Sequence, residues 1–455
     1  MASPQHSRAV AWFRNDLRIR DNQLLHYSQV RAAVELLAVY CVDPRHFAPS
    51  QWGGHPRTAS HRTRFLAESL EALDTSLRSL GSRLLVVAGH PEDVVPKLVG
   101  PTGILTFQQE DAVEEQRVET AVLQGLGSEV IVLSHHGQTL LHREDLGFDV
   151  ATWLPLPFGK YYHETCSLVQ PRPELRELKH DDLPPLPVEF GCEDTPLSCL
   201  GATAYRLSSD ARSLTTHMLG LADRGNASWP SCEAPRCGGL DAGCDFEWHG
   251  GEPLALAQLD AYTGQGGGLG SYQRTRNQLQ GMGSRLSPWL ANGCLSPRTV
   301  YWRAKEFEQS QGARRYADPR FSHVQKFLFQ LCWRDYFHLY CAHFGKRVFF
   351  LKGPARRQRG WRRDQEVEKR WKQGRTGVPL VDALMRELLA TGFMPNRGRY
   401  IVASYLVHYL GIDWRVGADW FESLLLDHDV CSNYGEWASM ANVAVDLGEK
   451  YPLGL

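Results

Sequence analysis

The chain has 455 residues, room for two or three domains around a large core, which excludes a disordered tail or a disulfide-held mini-protein. Fifty Lys and Arg stand against 51 Asp and Glu, a formal charge of -1, so any affinity for nucleic acid has to come from local clusters of basic residues. No apolar run approaches the roughly eighteen residues of a membrane span, and Arg8, Arg14 and Asp16 leave no room for a secretory signal, so no membrane association and no secretion are expected. Eleven cysteines, an odd number at irregular spacing, predict unpaired thiols in a reducing intracellular compartment, the nucleus or cytoplasm, with an organelle left open.

Five short apolar runs follow one another from residue 8 to 134: 8–13, 36–42, 83–88, 104–107 and 129–134. They read as buried parallel strands. Between the second and third, Leu66, Leu70, Leu73, Leu77 and Leu80 recur at spacings of four and three, the stripe of a helix covering one sheet face. Strand and helix alternating in this way predict an α/β domain with a doubly wound parallel sheet over residues 1–135. The first strand runs into Phe13-Arg-Asn-Asp-Leu-Arg18 with no GxGxxG, so a Rossmann dinucleotide site is not expected.

Residues 136–251 hold Pro155, Pro157, Pro171, Pro173, Pro184, Pro185 and Pro187 with little periodicity, and read as an interdomain connection. Cys232, Cys237 and Cys244, with His249 nearby, lack CxxC spacing and a second pair, so they read as loop cysteines and no metal is expected. From 252 to 455 helical periods dominate, over 324–343, 380–391, 398–410 and 418–426 among others, and predict an all-helical second domain.

Three constellations carry possible chemistry. Between Lys346 and Arg375 twelve Lys and Arg and three acids are interleaved with Phe349, Phe350, Trp361 and Trp371, which is either a solvated basic face or a surface for phosphates and unpaired bases. Two Gly- and Ser-rich stretches, 264–272 and 281–288, precede helix-like segments and are either plain loops or phosphate cradles. Asp427 and Asp429 with Asn433, and Asn396 with Arg399, are either caps and ion pairs or the walls of a polar cofactor site; no His or Cys cluster completes a metal set.

Together these elements resemble the photolyase/cryptochrome family, most closely its DASH cryptochrome branch. The similarity is carried by Ala9-Val-Ala-Trp-Phe-Arg-Asn-Asp-Leu-Arg18, Ser287-Pro-Trp-Leu-Ala-Asn-Gly-Cys-Leu-Ser-Pro-Arg298, Cys332-Trp-Arg-Asp-Tyr-Phe337, Gly374-Arg-Thr-Gly-Val-Pro-Leu-Val-Asp-Ala383, Thr391-Gly-Phe-Met-Pro-Asn-Arg-Gly-Arg399 and Gly411-Ile-Asp-Trp-Arg-Val-Gly-Ala-Asp-Trp-Phe421. The resemblance implies a U-shaped FAD in the helical domain. Tyr272, Ser284, Leu286, Ser287 and Arg334 would meet its pyrophosphate and ribose, Asn396, Arg399, Asp427 and Asp429 its two ring systems, and Asn433 its reactive nitrogen. It also implies a folate antenna, 5,10-methenyltetrahydrofolate, hydrogen-bonded by Glu110, and electron transfer along Trp437, Trp414 and Trp361. Gln330, Trp333 and Arg397 would contact DNA, preferably single-stranded and bearing a pyrimidine dimer flipped out of the stack. A monomer with weak cyclobutane-dimer photolyase activity is the implied function, and a blue-light receptor or DNA-binding regulator with little repair is the alternative.

The chain departs from the family pattern at several places. Gln330 stands for a glutamate, Gly283 for a hydroxyl residue in a shortened loop, Tyr400 for Met or Gln, and Ser439 for an aromatic expected against the lesion, a stacking loss of about 1–3 kcal/mol. Relatives are expected to continue for several dozen residues beyond the segment 438–446.

Overall fold

The protein is described by a computed structural model over residues 8–191, 203–206, 214–221, 247–279, 283–311 and 322–447. Strands β1 (Arg8–Phe13), β2 (Glu35–Val42), β3 (Leu84–Ala88), β4 (Ile104–Gln108) and β5 (Ile131–His135) pair in parallel in the order β5-β4-β1-β2-β3. β1, β2, β3 and β4 are buried at nearly every position, as continuous apolar runs require when helices cover both faces. α1 (Ser60–Ser79) lays Phe65, Leu70, Leu73 and Leu77 against the sheet, and α2 (Pro91–Val99) and α3 (Val113–Gln124) complete the cover.

A sixth strand, β6 (Thr203–Arg206), adds antiparallel to β3. It lies in the proline-rich stretch read as a connection, where four residues are too few to show a strand period. Cys232, Cys237 and Cys244 lie outside the described residues.

The helices that follow are α4 (Glu252–Thr263), α5 (Pro297–Ser310), α6 (His323–Phe344), α7 (Gln365–Lys372), α8 (Pro379–Thr391), α9 (Asn396–Ser404), α10 (Trp414–Leu424) and α11 (Val430–Met440). Their starts are written in the sequence. Ser322, Asp364, Asp413 and Asp429 each accept a backbone N–H of the first turn, and Pro297 and Pro379 stand where no N–H is needed. α8 ends at Gly392, whose φ of 70° is left-handed and costs glycine nothing.

Two apolar cores result. One runs from the sheet into Leu259, Trp289, Val300 and Leu328, so the helices from 252 to 331 share the core of the α/β layer. The other joins Phe158, Tyr336, Trp371, Trp414, Phe421 and Trp437. Buried polar contacts lock the layers: Asp21 accepts from Nη2 and Nε of Arg298 at 2.7 and 2.8 Å, and the Asp335 carboxylate accepts the N–H groups of Leu140 and Leu141 at 2.8 and 2.9 Å. Trp371, expected among aromatics available to unpaired bases, is fully buried, and its Nε1–H donates to the Val402 carbonyl at 3.1 Å.

Candidate functional site

Three helices turn one face each toward a common cavity of about 320 Å³. α6 contributes Gln330, Trp333, Arg334 and Phe337; α9 contributes Asn396, Arg399, Tyr400 and Ala403; α11 contributes Asn433, Glu436, Trp437 and Met440. Each quartet repeats the spacing i, i+3, i+4, i+7, which places four side chains on one helical stripe. Tyr272, Ser284, Leu286 and Ser287 form a further wall, and Asp427, His428 and Asp429 enter from the turn before α11. Thus Tyr272, Ser284, Leu286, Ser287, Arg334, Asn396, Arg399, Asp427, Asp429, Asn433, Gln330, Trp333 and Trp437 all line one space.

Asp427 anchors the polar end. Its Oδ2 accepts the Ser287 hydroxyl at 2.6 Å and the Arg399 guanidinium at 2.7 Å, while its buried Oδ1 has no hydrogen-bond partner. Burial pushes His428 down to about 3, with Arg62 adding to the shift, so this ring is neutral. Asp429 caps α11 through the Ser432 N–H at 2.6 Å; burial opposes its charge, but His338 and Arg334 outweigh burial and hold the carboxyl well below its usual range. The Asn433 amide is fixed by an Nδ2–H donated to the Ala418 carbonyl at 3.0 Å. Arg334 donates to the carbonyls of Gln138 and Leu290, tying the cavity wall to the segment after β5. An orphaned carboxylate oxygen at one end, which calls for a donor, with Phe421, Leu425 and Trp437 along the side, suits a ligand that carries both a hydroxyl or ring N–H and a flat ring.

The tryptophans take different places. Trp437 lines the cavity, and its ring lies 5.1 Å from Phe421 and 6.3 Å from Trp371. Trp414 is fully buried, 6.3 Å from the Tyr434 ring, and donates to the Leu351 carbonyl at 3.2 Å. Trp361 is half-buried, with the Arg359 guanidinium 5.1 Å from its centre. The Trp333 ring is stacked on Phe158 at 3.6 Å and 14°. Arg397 is exposed at the start of α9 and does not line the cavity.

Ser439, expected to face the lesion, does not line the cavity either. It is buried, and its hydroxyl donates to the Leu447 carbonyl at 3.5 Å; Met440, one residue on, takes the cavity-facing position. The helix rotation of about 100° per residue decides this. Glu436, Met440 and Ala403 were not singled out from sequence, although counting i+3 and i+7 from Asn433 and Asn396 would have found them.

A second cavity, about 850 Å³, opens at the C-terminal ends of β1, β2 and β4, where the strand order reverses and ligands bind in doubly wound folds. Glu110 lines it. Glu110 is buried, accepts the Gln138 amide, and keeps an unpartnered Oε1; burial, with Glu115 nearby, raises its pKa well above the usual range. His338 stands between the cavities: Nδ1 is 2.9 Å from Asp111 Oδ2, and Nε2 is 2.9 Å from Asp429 Oδ2, an ion pair outside hydrogen-bond geometry. Among the described residues no group of His, Cys, Asp or Glu could hold a metal, and no helix is long and apolar enough to cross a membrane.

Residues 9–179 match the family described as DNA photolyase, and residues 327–451 match the FAD binding domain of DNA photolyase. Cryptochrome DASH of Xenopus laevis is 38% identical over 450 residues, covering 97% of this chain and 77% of that one; cryptochrome DASH of Danio rerio is 37% identical over 446 residues, covering 97% and 78%. The crystal structure of a Synechocystis cryptochrome superposes with a TM-score of 0.81 at 34% identity, covering 99% of this chain and 85% of that one. The chain belongs to the photolyase/cryptochrome family, in its cryptochrome DASH branch.

Proposed function

We propose that the chain is a blue-light flavoprotein that binds FAD in the cavity between α6, α9 and α11 and acts weakly on cyclobutane pyrimidine dimers in single-stranded DNA. The observation that carries this reading is the convergence of thirteen separately placed side chains on one space that is charged at one end and apolar along its side. FAD would supply a chromophore that absorbs blue light and exchanges single electrons.

The residues divide the work. Ser287, Arg399 and Asp427 bind and orient the polar end, and the unpartnered Asp427 Oδ1 calls for a donor such as a hydroxyl or a ring N–H. Asn433, clamped by Ala418, presents its amide at a fixed angle. Phe421, Leu425 and Met440 keep water from the side wall. With FAD bound and excited as the electron acceptor, Trp437 would be the donor at the cavity wall, and Trp414 and Trp361 would carry the vacancy toward the surface, where Trp361 is half-buried. Gln330 and Trp333 face an incoming base, and Arg397, exposed beside the opening helix, meets a phosphate. Glu110, whose pKa burial raises well above its usual range, would hydrogen-bond a folate antenna in the second cavity. The protein acts as a monomer in the nucleus or cytoplasm, and the unpaired Cys41, Cys166, Cys294, Cys332, Cys341 and Cys431 support a reducing compartment.

The test is an absorption spectrum of the purified chain in the dark and after blue light with a reductant, followed by repair of a dimer-containing single strand. Flavin bands that bleach and a shortened dimer lifetime are expected; a colourless protein overturns the reading. A receptor with little repair is favoured by one observation, the covering of a Trp333 face by Phe158, which removes a stacking surface. Normal photoreduction without dimer loss selects it.

A further inference from the structure

A third cavity, of about 330 Å³, lies between α6 and the short helical turns Phe158–Tyr161 and Tyr162–Cys166, and two unpaired thiols line it, Cys166 and Cys332. On α6, Phe329, Cys332, Trp333 and Tyr336 repeat the spacing i, i+3, i+4, i+7 and so share one stripe. The aromatics of that stripe all meet the facing turns. Phe158 stacks on Trp333 at 3.6 Å and packs edge-on against Phe329 and Tyr336, Tyr162 lies 4.8 Å from Phe329, and Tyr161 lies 5.2 Å from Tyr336. Cys332 is the fourth member of the stripe, and Cys166 ends the turns opposite it. The thiols act directly on each other: the hydrogen bond with Cys332, ahead of burial, raises the Cys166 pKa far above its usual range. Cys332 is buried, whereas Cys166 is half-buried beside the exposed Leu168, so the Cys166 sulfur is the one reached from solvent.

We infer that Cys166 and Cys332 are a redox-active pair, which a low-molecular-weight disulfide of the glutathione class links to each other, and that the link fixes Phe158 over Trp333. The pairing stands on the cavity and the stripe alone; its effect on a strand rests on the reading above that Trp333 faces a base. The Cys166 thiolate attacks one sulfur of the small disulfide, forming a mixed disulfide and releasing one small thiolate. The Cys332 thiolate then attacks Cys166 Sγ, which forms the Cys166–Cys332 bond and releases the second. Two protein thiols are oxidised, one small disulfide is reduced to two thiols, and the two protein protons pass to the departing thiolates. The raised Cys166 pKa makes the first attack slow at neutral pH, because only the thiolate reacts. In the reduced protein Phe158 is held over Trp333 by packing, which an incoming base can displace. In the oxidised protein the turns that carry Phe158 are joined covalently to the residue before Trp333, and the stacking face stays closed.

The experiment equilibrates the full chain, in the dark, with reduced and oxidised glutathione at a series of ratios and reads the products by peptide mass spectrometry without reduction. A peptide joined through Cys166 and Cys332 is expected, forming faster at pH 9 than at pH 7 and reverting with excess reduced glutathione. Peptide mass also separates this pair from Cys341 and Cys431, which are in contact but wholly buried. Cys332→Ser should stop at a glutathione adduct on Cys166, and Cys166→Ser should take up little, since Cys332 is buried; far-UV circular dichroism checks that both variants fold. No joined peptide in fully oxidised buffer overturns the inference. Binding of a fluorescent single-stranded oligothymidylate, read by anisotropy, then tests the closure: oxidised wild type should bind about tenfold more weakly than reduced, within the range for one lost base stack, and Cys166→Ser should not respond to the buffer. Equal binding by both forms, when Trp333→Ala weakens the reduced one, overturns the closure and leaves the pair standing. If Trp333→Ala binds like wild type in reduced buffer, the reading of Trp333 as a base contact falls and takes the closure with it.

Discussion

His338 and Asp429 stand 2.9 Å apart, Nε2 to Oδ2, in the wall between the two cavities, and the opposite ring nitrogen of His338 reaches Asp111. Burial disfavours a charged imidazole, but Asp429 on one side and Asp111 on the other reverse this and raise its pKa well above the usual range. One buried imidazolium thereby fixes an acid that caps α11 and lines the proposed flavin site, and another that adjoins Glu110.

His338→Gln should therefore destabilise the protein by on the order of 3 kcal/mol, since two buried carboxylates lose a shared cation. The loss depends on pH. The folded pKa of His338 lies above its unfolded value, so its contribution is full below about pH 6.5 and fades as pH rises through the folded value. Asp111 and Asp429 are shifted downward, so their share is present above about pH 4 and lost below it. Arg143 and His136 face Asp111, and Cys431 faces the ring, so they belong to the same network. Urea unfolding at pH 6 and pH 9 should show the wild-type advantage larger at pH 6; an equal gap at both would refute the imidazolium.

Arg399→Ala removes the one guanidinium from Asp427 and leaves that buried carboxylate with the Ser287 hydroxyl. Flavin retention after gel filtration should fall about tenfold, as expected for a lost charged hydrogen bond. Arg399→Lys should recover part of it, because a point charge replaces one arm of the fork.

Trp437→Phe keeps an aromatic wall at the cavity but not an indole that is readily oxidised. The dark flavin spectrum should be unchanged, and bleaching under blue light with a reductant should slow by at least an order of magnitude. Trp361→Phe, near the surface, should leave the first fast step intact and shorten the life of the charge-separated state, which transient absorption reads.

Asp335→Asn tests the seam between the layers. Each carboxylate oxygen takes one N–H, from Leu140 and from Leu141, and an amide turns an N–H toward one of them. The expected cost is about 1–3 kcal/mol of unfolding free energy, the penalty for a buried donor left without an acceptor. A midpoint in denaturant unchanged from wild type would show that the seam carries no such load.

Much of this architecture was legible in the residues. The apolar runs that became β1, β2, β3 and β4 are continuous because both sheet faces are covered, whereas β5, read from sequence as buried too, is the edge strand and leaves Val132 exposed; the leucine stripe of α1 is a period of 3.6 read directly. β6 was not legible, since four residues with an antiparallel partner leave no local period. Most of the cavity residues were found because their identities match family motifs. Trp371 was misread because a charged neighbourhood says nothing about which way a helix turns: α7 points its charges outward and its one indole into the core. Ser439 was misplaced for the same reason, one residue from the cavity stripe.

The sequence alone determined the α/β layer, the helical half and the family, because hydrophobic period and motif identity are local properties that survive without coordinates. Only the tertiary structure decided which side chains share a space: the Tyr400–Glu436 pair, the His338 bridge between Asp111 and Asp429, and the stacking of Phe158 on Trp333. These contacts join residues 36, 227, 91 and 175 positions apart, and the relative rotation and depth of packed helices, which no single segment encodes, bring them together.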